Sequence, residues 1–142
     1  MRIMGLDFGS HTTGVAISDP LLIISNPLTI IRRQDPNNIK DTIKQLLDIC
    51  QKQEIKEIVL GLPKNMNNTL GARVEATINF KTKLEQKLKI PVSLWDERLS
   101  TVAATNALLE ADVSRAKRSK VIDKVAAVII LQNYLDSKRI KS

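Results

Sequence analysis

The stretch that decides the fold is MRIMGLDFGSHTTGVAISD, which runs from Met1 to Asp19. Two apolar segments flank a turn rich in Gly, Ser and Thr, a pattern that predicts a β-hairpin. Asp7 places one carboxylate inside the first apolar strand. Burying an unpaired charge is costly or forces its protonation, so Asp7 needs a metal ion, a cation or a helix N-terminus as partner. A tight turn beside such a carboxylate indicates phosphate or metal chemistry.

The rest of the chain alternates between strand and helix patterns. Further strands are expected at residues 28–32, 57–62 and 91–95, with the last two as central strands, and helices at 37–53, 71–88, 100–111 and 121–137. For the helix over 71–88 the spacing predicts an inner face of Val74, Ile78, Leu84 and Leu88. An antiparallel start followed by alternating strand and helix predicts a mixed α/β sheet with helices on both faces.

Length and composition bound the class of protein. The 142 residues are enough for one domain but too few for two lobes around a cleft. No apolar run approaches a membrane span and no signal-peptide pattern is seen, so we expect a cytoplasmic protein without a membrane partner. The single cysteine, Cys50, excludes an internal disulfide and a Cys-rich zinc site, and its place on an apolar helix face predicts an inert core residue.

Positive charge is concentrated near the end of the chain. The net charge is +7, and residues 112–142 carry eight Lys or Arg against three Asp. Such a concentration is typical of proteins that bind RNA, DNA or the ribosome, although a solubilising tail has the same composition. Since only 3% of the residues are aromatic, a base-stacking surface is not expected.

Three carboxylates stand out by position. Asp7 lies in the first strand, Glu97 follows the last strand, and Asp123 opens the final helix pattern. Active sites of open α/β sheets form at the carboxyl ends of strands, where these acids can converge. Mg²⁺ or Mn²⁺ would balance their charges and could support phosphodiester hydrolysis. Spacing alone equally allows Asp7 to bind turn amides, Glu97 to pair with Arg98, and Asp123 to cap its helix.

The residues around these acids resemble a bacterial protein family. Five segments carry the resemblance, in the family's order and over nearly the whole chain: Gly5-Leu6-Asp7-Phe8-Gly9, Gly14-Val15-Ala16-Ile17-Ser18-Asp19, Gly61-Leu62-Pro63 with Asn65-Met66, Asp96-Glu97-Arg98-Leu99-Ser100-Thr101, and Asp123 with Ala126-Ala127. The chain is similar to the YqgF-type, or RuvX-like, Holliday-junction resolvases, which are also described as nucleases that mature pre-16S ribosomal RNA.

The resemblance implies one ribonuclease-H-like nuclease domain over residues 1–142 with a Mg²⁺ or Mn²⁺ cofactor. It assigns Asp7, Glu97 and Asp123 as metal-binding catalytic acids. It places Arg98 and the segment 114–120 near the nucleic-acid backbone. Within that segment, the expected phosphate contacts are Arg115, Lys117, Arg118 and Lys120. The chain departs from the family at His11-Thr12, where a Lys-Arg pair is usual, and at Asn67-Asn68, where a glycine often follows the Met.

Several functions remain open on the sequence. The leading expectation is a nuclease that processes the 5′ end of precursor 16S ribosomal RNA as a monomer or homodimer, with the ribosome as a further candidate partner. The alternatives are a Holliday-junction DNA resolvase and a non-catalytic RNA- or ribosome-binding module on the same fold. An actin-like or sugar-kinase-like ATPase begins with a similar strand-turn-strand, but it needs a second lobe.

Overall fold

A computed structural model describes residues 1–62, 71–96 and 126–138. Five strands form one sheet in the order β3-β2-β1-β4-β5. The strands are β1 (Arg2–Phe8), β2 (Thr12–Ser18), β3 (Ser25–Arg32), β4 (Ile55–Leu62) and β5 (Val92–Asp96). β2 is antiparallel to both β1 and β3, whereas β4 is parallel to both β1 and β5. The helices are α1 (Lys40–Gln53), α2 (Gly71–Leu88) and α3, the helical residues 126–138.

Strand alternation divides the core into two layers. Met4, Leu6 and Phe8 of β1 face a cluster built with residues of α1 and α2. Ile3 of β1 faces the opposite way, into a second cluster with the apolar residues of α3. Helices therefore cover both faces of the mixed sheet, as the sequence predicted.

The hairpin expected from the opening stretch is confirmed, and the third strand is longer than expected. β3 begins at Ser25 rather than at residue 28, so Pro27 lies inside it, opposite Ala16. Pro has no backbone N–H and is tolerated mainly in edge strands. Among the described strands, β3 lies at such an edge, which explains why Pro27 does not end the strand.

The helix α1 buries one face, including Cys50. It begins at Lys40, three residues later than expected, and buries Thr42, Ile43, Leu46 and Cys50. Burial raises the pKa of the Cys50 thiol to about 11. The thiol therefore stays protonated near neutral pH, and the expectation of an inert core cysteine is confirmed.

The helix α2 has the predicted bounds but a different inner face. Leu84 and Leu88 are buried as expected, whereas Ile78 is 45% exposed. Phe80 is buried instead, and its ring stacks on Phe8 with centroids 4.0 Å apart. This aromatic contact fixes the rotation of α2 on the sheet, so the prediction of Ile78 as a core residue is wrong.

The sheet order also corrects the expectation for the last strand. β4 is central, between β1 and β5, but β5 lies at the end of the sheet formed by the described strands. Trp95 of β5 nevertheless packs inward, because its ring meets Tyr134 of α3 edge-on at 5.6 Å. The predicted helix at 100–111 and the basic segment lie outside the described residues. Within the described residues, no helix has the length and apolarity that a membrane crossing requires.

Candidate active site

Asp7 lies where the parallel strands end. It is the last residue but one of β1 and pairs with Gly14 of β2. Because β1, β4 and β5 are parallel, their carboxyl ends share one edge of the sheet. At that edge Leu62 of β4 pairs with Asp96, the last residue of β5. Asp7 is half-buried, and alternation along β1 places it on the face that α3 covers.

The helix α3 lies directly on β1, next to Asp7. A Cβ atom on Gly5 would come within 2.6 Å of the Leu131 Cβ and 3.0 Å of the Ala127 carbonyl oxygen. Only glycine allows a helix backbone to approach the strand this closely. Gly5 precedes Asp7 by two residues on the same strand face, so this contact sets how α3 lies beside the carboxylate.

The turn after Asp7 is held by a buried arginine, Arg33. Its guanidinium donates from Nη1 to Thr13 Oγ1 (2.8 Å) and from Nη2 to the carbonyl oxygens of Ser10 (2.9 Å) and Gly9. Its backbone N–H donates to the His11 carbonyl at 2.7 Å. Arg33 is only 8% exposed, and burial lowers the pKa of its guanidinium. Since arginine stays charged in proteins, these carbonyl dipoles solvate a buried cation.

A second arginine holds the same turn from α2. Arg73 Nη2 donates to the Phe8 carbonyl at 3.3 Å. Phe8 also lies under the Arg33 guanidinium, whose central carbon is 4.5 Å from the ring centroid. The carbonyl oxygens of Phe8, Gly9 and Ser10 are thus all engaged by arginine. The guanidinium charges disfavour a second cation at these carbonyl oxygens, so side-chain oxygens are the better cation ligands at this turn.

His11, the departure from the family pattern, lies at the outer edge of this turn. It is exposed, and its carbonyl accepts the Arg33 N–H. Gly9 and Thr12 close the turn, since the Gly9 N–H donates to the Thr12 carbonyl at 2.7 Å. The rigid part of the turn is therefore its backbone, and the residue type at position 11 affects only its solvent-facing side.

Most of the predicted site residues lie outside the described part of the chain. Asp7 lies at the predicted edge. The predicted residues that fall outside are Glu97, Asp123, Arg98, Arg115, Lys117, Arg118 and Lys120. Residues 1–62, 71–96 and 126–138 alone contain no group of three potential ligands that could hold a metal ion.

Sequence reasoning missed Arg33 entirely. The strand was expected to end at Arg32, and no role was predicted for Arg33. The usable signal was alternation: Ile31 is buried, so the residue two positions later points to the same face. Nor did the sequence indicate that Arg73 would reach this turn, where it donates to the Phe8 carbonyl.

Comparison with known proteins identifies the family. The family model described as "RuvX: Holliday junction resolvase" matches residues 1–137. The chain belongs to the RuvX family. A Clostridium acetobutylicum relative named "Putative pre-16S rRNA nuclease" is 50% identical over 137 residues, covering 96% of this chain and 99% of the relative. A Clostridium botulinum relative of the same name is 53% identical over 137 residues, covering 96% and 98%.

Solved structures show the fold of this RuvX-family chain. Thermus thermophilus RuvC matches with a TM-score of 0.58 at 11% identity, covering 98% of this chain and 96% of that one. RuvC from the same organism in complex with a Holliday junction substrate matches at 0.56 and 14% identity, covering 92% and 91%. The fowlpox virus Holliday junction resolvase matches at 0.51 and 15% identity, covering 96% and 99%. The mixed sheet with helices on both faces is thus a ribonuclease-H-like fold, and the expected family and fold are confirmed.

Proposed function

We propose that this chain is a metal-dependent nuclease that hydrolyses phosphodiester bonds in structured nucleic acid, with the 5′ end of precursor 16S ribosomal RNA as its substrate. One observation carries the proposal: Asp7 lies half-buried at the edge where the parallel strands end, beside a turn held by two arginines. Family membership and the names of the relatives at about half identity supply the reaction class and the RNA.

We assign Asp7, Glu97 and Asp123 as the catalytic acids and metal ligands. Two described contacts support this assignment. β5 ends at Asp96, one residue before Glu97, and its parallel neighbour β4 also pairs with β1. Ala127, four residues after Asp123, contacts Gly5 on the strand face that carries Asp7.

The donor set fits Mg²⁺ or Mn²⁺. The three assigned acids offer only carboxylate oxygens, which both ions prefer, and the single cysteine is buried on the other side of the sheet. The backbone oxygens of Gly9 and Ser10 accept from the cationic Arg33 guanidinium, whose charge disfavours a metal ion at the same atoms and favours the carboxylates as ligands. When bound, such ions would activate water and offset the charge of the phosphodiester.

The chain's own residues supply the rigid frame for this chemistry. Arg33 and Arg73 fix the backbone that follows Asp7, so the Asp7 carboxylate is oriented before substrate arrives. The Gly5 contact with α3 fixes the helix on the same face. Fixing this backbone limits the movement of the strand end that carries Asp7, which a preorganised catalytic site requires.

The nucleic acid is proposed to lie along the basic part of the chain. Arg98, Arg115, Lys117, Arg118 and Lys120 are assigned as phosphate contacts. Such contacts position a backbone without reading its sequence, which suits a structured substrate. We further propose one nuclease domain over residues 1–142, a cytoplasmic location and action on ribosome-bound RNA, as a monomer or homodimer.

Cleavage of a Holliday junction is the second candidate. It is favoured by the description of the family and by the similarity to RuvC along nearly the whole chain. A resolvase must cut two strands symmetrically and therefore needs two active sites, so it requires a dimer. A monomer in solution would favour the RNA substrate.

The test compares cleavage of a precursor 16S RNA fragment and of a four-way DNA junction, each with Mg²⁺, with Mn²⁺ and with chelator. Asp7→Asn removes the proposed ligand charge at constant size, and Asp41→Asn, at an exposed position of α1, is the matched control. We expect cleavage of RNA by the wild type and Asp41→Asn, and none by Asp7→Asn or with chelator. Equal activity of Asp7→Asn would refute the assigned acids. Binding without metal-dependent cleavage of either substrate would support a non-catalytic module instead.

A further inference from the structure

A groove between α1 and α2 has no part in the proposed nuclease site. Its volume is about 580 Å³, which is within the range of functional pockets. The floor is apolar and consists of Ile39, Ile43 and Leu47, of which Leu47 is half-buried. It lies among the helices that cover the Met4 and Leu6 face of β1, whereas Asp7 lies on the other face.

Four lysines form the rim of this groove. Lys40 and Lys44 are one turn apart on α1, and Lys83 and Lys87 are one turn apart on α2. All four are exposed, and none makes an ion pair or hydrogen bond within the described part of the chain. Like charges at this spacing destabilise a helix, so the lysine pairs do not serve to stabilise α1 and α2.

Two acidic residues of the same two helices form ion pairs, and both pair with a lysine outside the groove. Asp48 binds Lys52 at 3.0 Å on α1, and Glu85 binds Lys81 at 2.8 Å on α2. No acidic residue lines the groove. The charge of the rim is therefore uncompensated, although acids are available within a turn of it.

We propose that this groove binds an acidic amphipathic helix of a partner protein. Its apolar side chains would occupy the floor, and its flanking carboxylates would pair with the four lysines, the usual arrangement of a helix in a groove. Lysine stems extend the apolar floor, since their charged ends reach solvent. A second copy of this chain is a poor occupant because each copy carries a net charge of +7.

A nucleic acid is also a poorer occupant than an acidic helix. Phosphates would use the lysines but would leave the apolar floor uncovered. The lining contains neither an aromatic ring nor an arginine on which a base could stack. The proposal does not depend on the nuclease assignment, because no groove residue belongs to the assigned site.

The test is a titration of the isotope-labelled full chain followed by NMR. The probes are a synthetic amphipathic peptide with Leu at helical spacing and Glu on both flanks, the same peptide with Gln for Glu, and a short RNA duplex. K44Q/K83Q removes one rim lysine from each helix. R32Q/K56Q removes the same charge at two exposed positions outside the groove and is the matched control.

We expect the Glu peptide to shift signals of residues 39–47 and 83–87 and to bind K44Q/K83Q about fivefold to tenfold more weakly. Binding by R32Q/K56Q should match the wild type. The proposal is overturned if the Glu peptide shifts no groove signals, if the Gln peptide binds equally well, or if both double variants weaken binding alike. Groove shifts with RNA that K44Q/K83Q abolishes would reassign the surface to nucleic acid. Nuclease activity measured on the same samples tests the nuclease assignment independently of peptide binding.

Discussion

Arg33 lies over the ring of Phe8, with its guanidinium carbon 4.5 Å from the ring centroid. The two residues come from opposite sides of the antiparallel part of the sheet, since Arg33 follows β3 and Phe8 ends β1. The contact spans β2 and, together with the bonds to Gly9 and Ser10, ties the sheet edge to the turn that follows Asp7. A residue remote in sequence therefore shapes the proposed catalytic edge.

Replacing Arg33 should destabilise the fold and lower nuclease activity. Arg33→Met keeps much of the packing volume but leaves the turn carbonyls without a donor, at a cost of about 2–4 kcal/mol in the free energy of unfolding. Urea denaturation measures this change. Arg32→Met is the control, because Arg32 is exposed and should alter stability by less than about 0.5 kcal/mol. Equal losses in the two variants would show that the guanidinium contacts contribute nothing specific.

Adding a methyl group to Gly5 should separate α3 from β1. The new Cβ would meet the Leu131 Cβ at 2.6 Å, so backbone must move, and we expect Gly5→Ala to cost about 1–3 kcal/mol. Gly71→Ala is the matched control, because a Cβ there meets no atom within 4 Å. At the start of α2 this control should raise stability by about 0.4–1 kcal/mol. Thermal unfolding of both variants measures the contrast, and a neutral Gly5→Ala would contradict the close approach.

The sequence predicted the sheet well because its strands are marked by local patterns. β1, β2 and β4 are apolar runs bounded by turn residues, and α2 begins and ends as its apolar spacing indicated. The inner face of α2 could not be predicted in the same way. Its rotation depends on the stacking of Phe80 on Phe8, a contact between residues far apart in the chain. Apolar periodicity shows where a helix begins and ends more reliably than it shows which face of the helix packs against the core.

The same limit applies to the candidate site. Asp7 could be recognised because a charge within an apolar strand is locally anomalous. Arg33 could not, because a basic residue after a strand is ordinary until the partner carbonyls of Gly9 and Ser10 are known. Position 5 shows a related case. Gly5 is visible in the sequence, but the requirement for glycine there comes from the close approach of α3, which lies more than a hundred residues later in the chain.

The Cys50 thiol should not react in the native protein. Burial holds its pKa at about 11, so little thiolate exists near pH 8 and reagents have no access. Labelling with a chromogenic disulfide reagent should proceed only as fast as the protein unfolds and should accelerate in urea. C50A/Q51C moves the thiol to an exposed position on the same helix and should react at once. Rapid labelling of the wild type would contradict the burial of Cys50.

Asp19 should make stability depend on pH in the acid range. Its carboxylate accepts the N–H groups of Ile24 and Ile23, and these bonds lower its pKa below the ordinary value of 3.8. A group with a lowered folded pKa stabilises above its unfolded pKa and loses that contribution as pH falls through the folded pKa. Asp19→Ala should therefore lower the melting temperature at neutral pH, and the gap should narrow below pH 3.8. If the difference in melting temperature between the wild type and Asp19→Ala did not change with pH, the ionised Asp19 carboxylate would not be the stabilising form.

Removing charge from the basic segment should reduce the salt dependence of RNA binding. A variant with Gln at Arg115, Lys117, Arg118 and Lys120 would lose up to four phosphate contacts, and each contact contributes about 0.7–0.9 to the slope of log K against log salt. We expect the slope to fall by about 3, as measured by fluorescence anisotropy with a precursor RNA fragment. The matched control carries Gln at the four groove lysines, Lys40, Lys44, Lys83 and Lys87, and loses the same charge. If the basic segment binds the RNA phosphate backbone, the control variant should have the same slope of log K against log salt as the wild type. An equal fall in both variants would mean that RNA responds only to the net charge of the protein, and the assigned phosphate contacts would then be wrong.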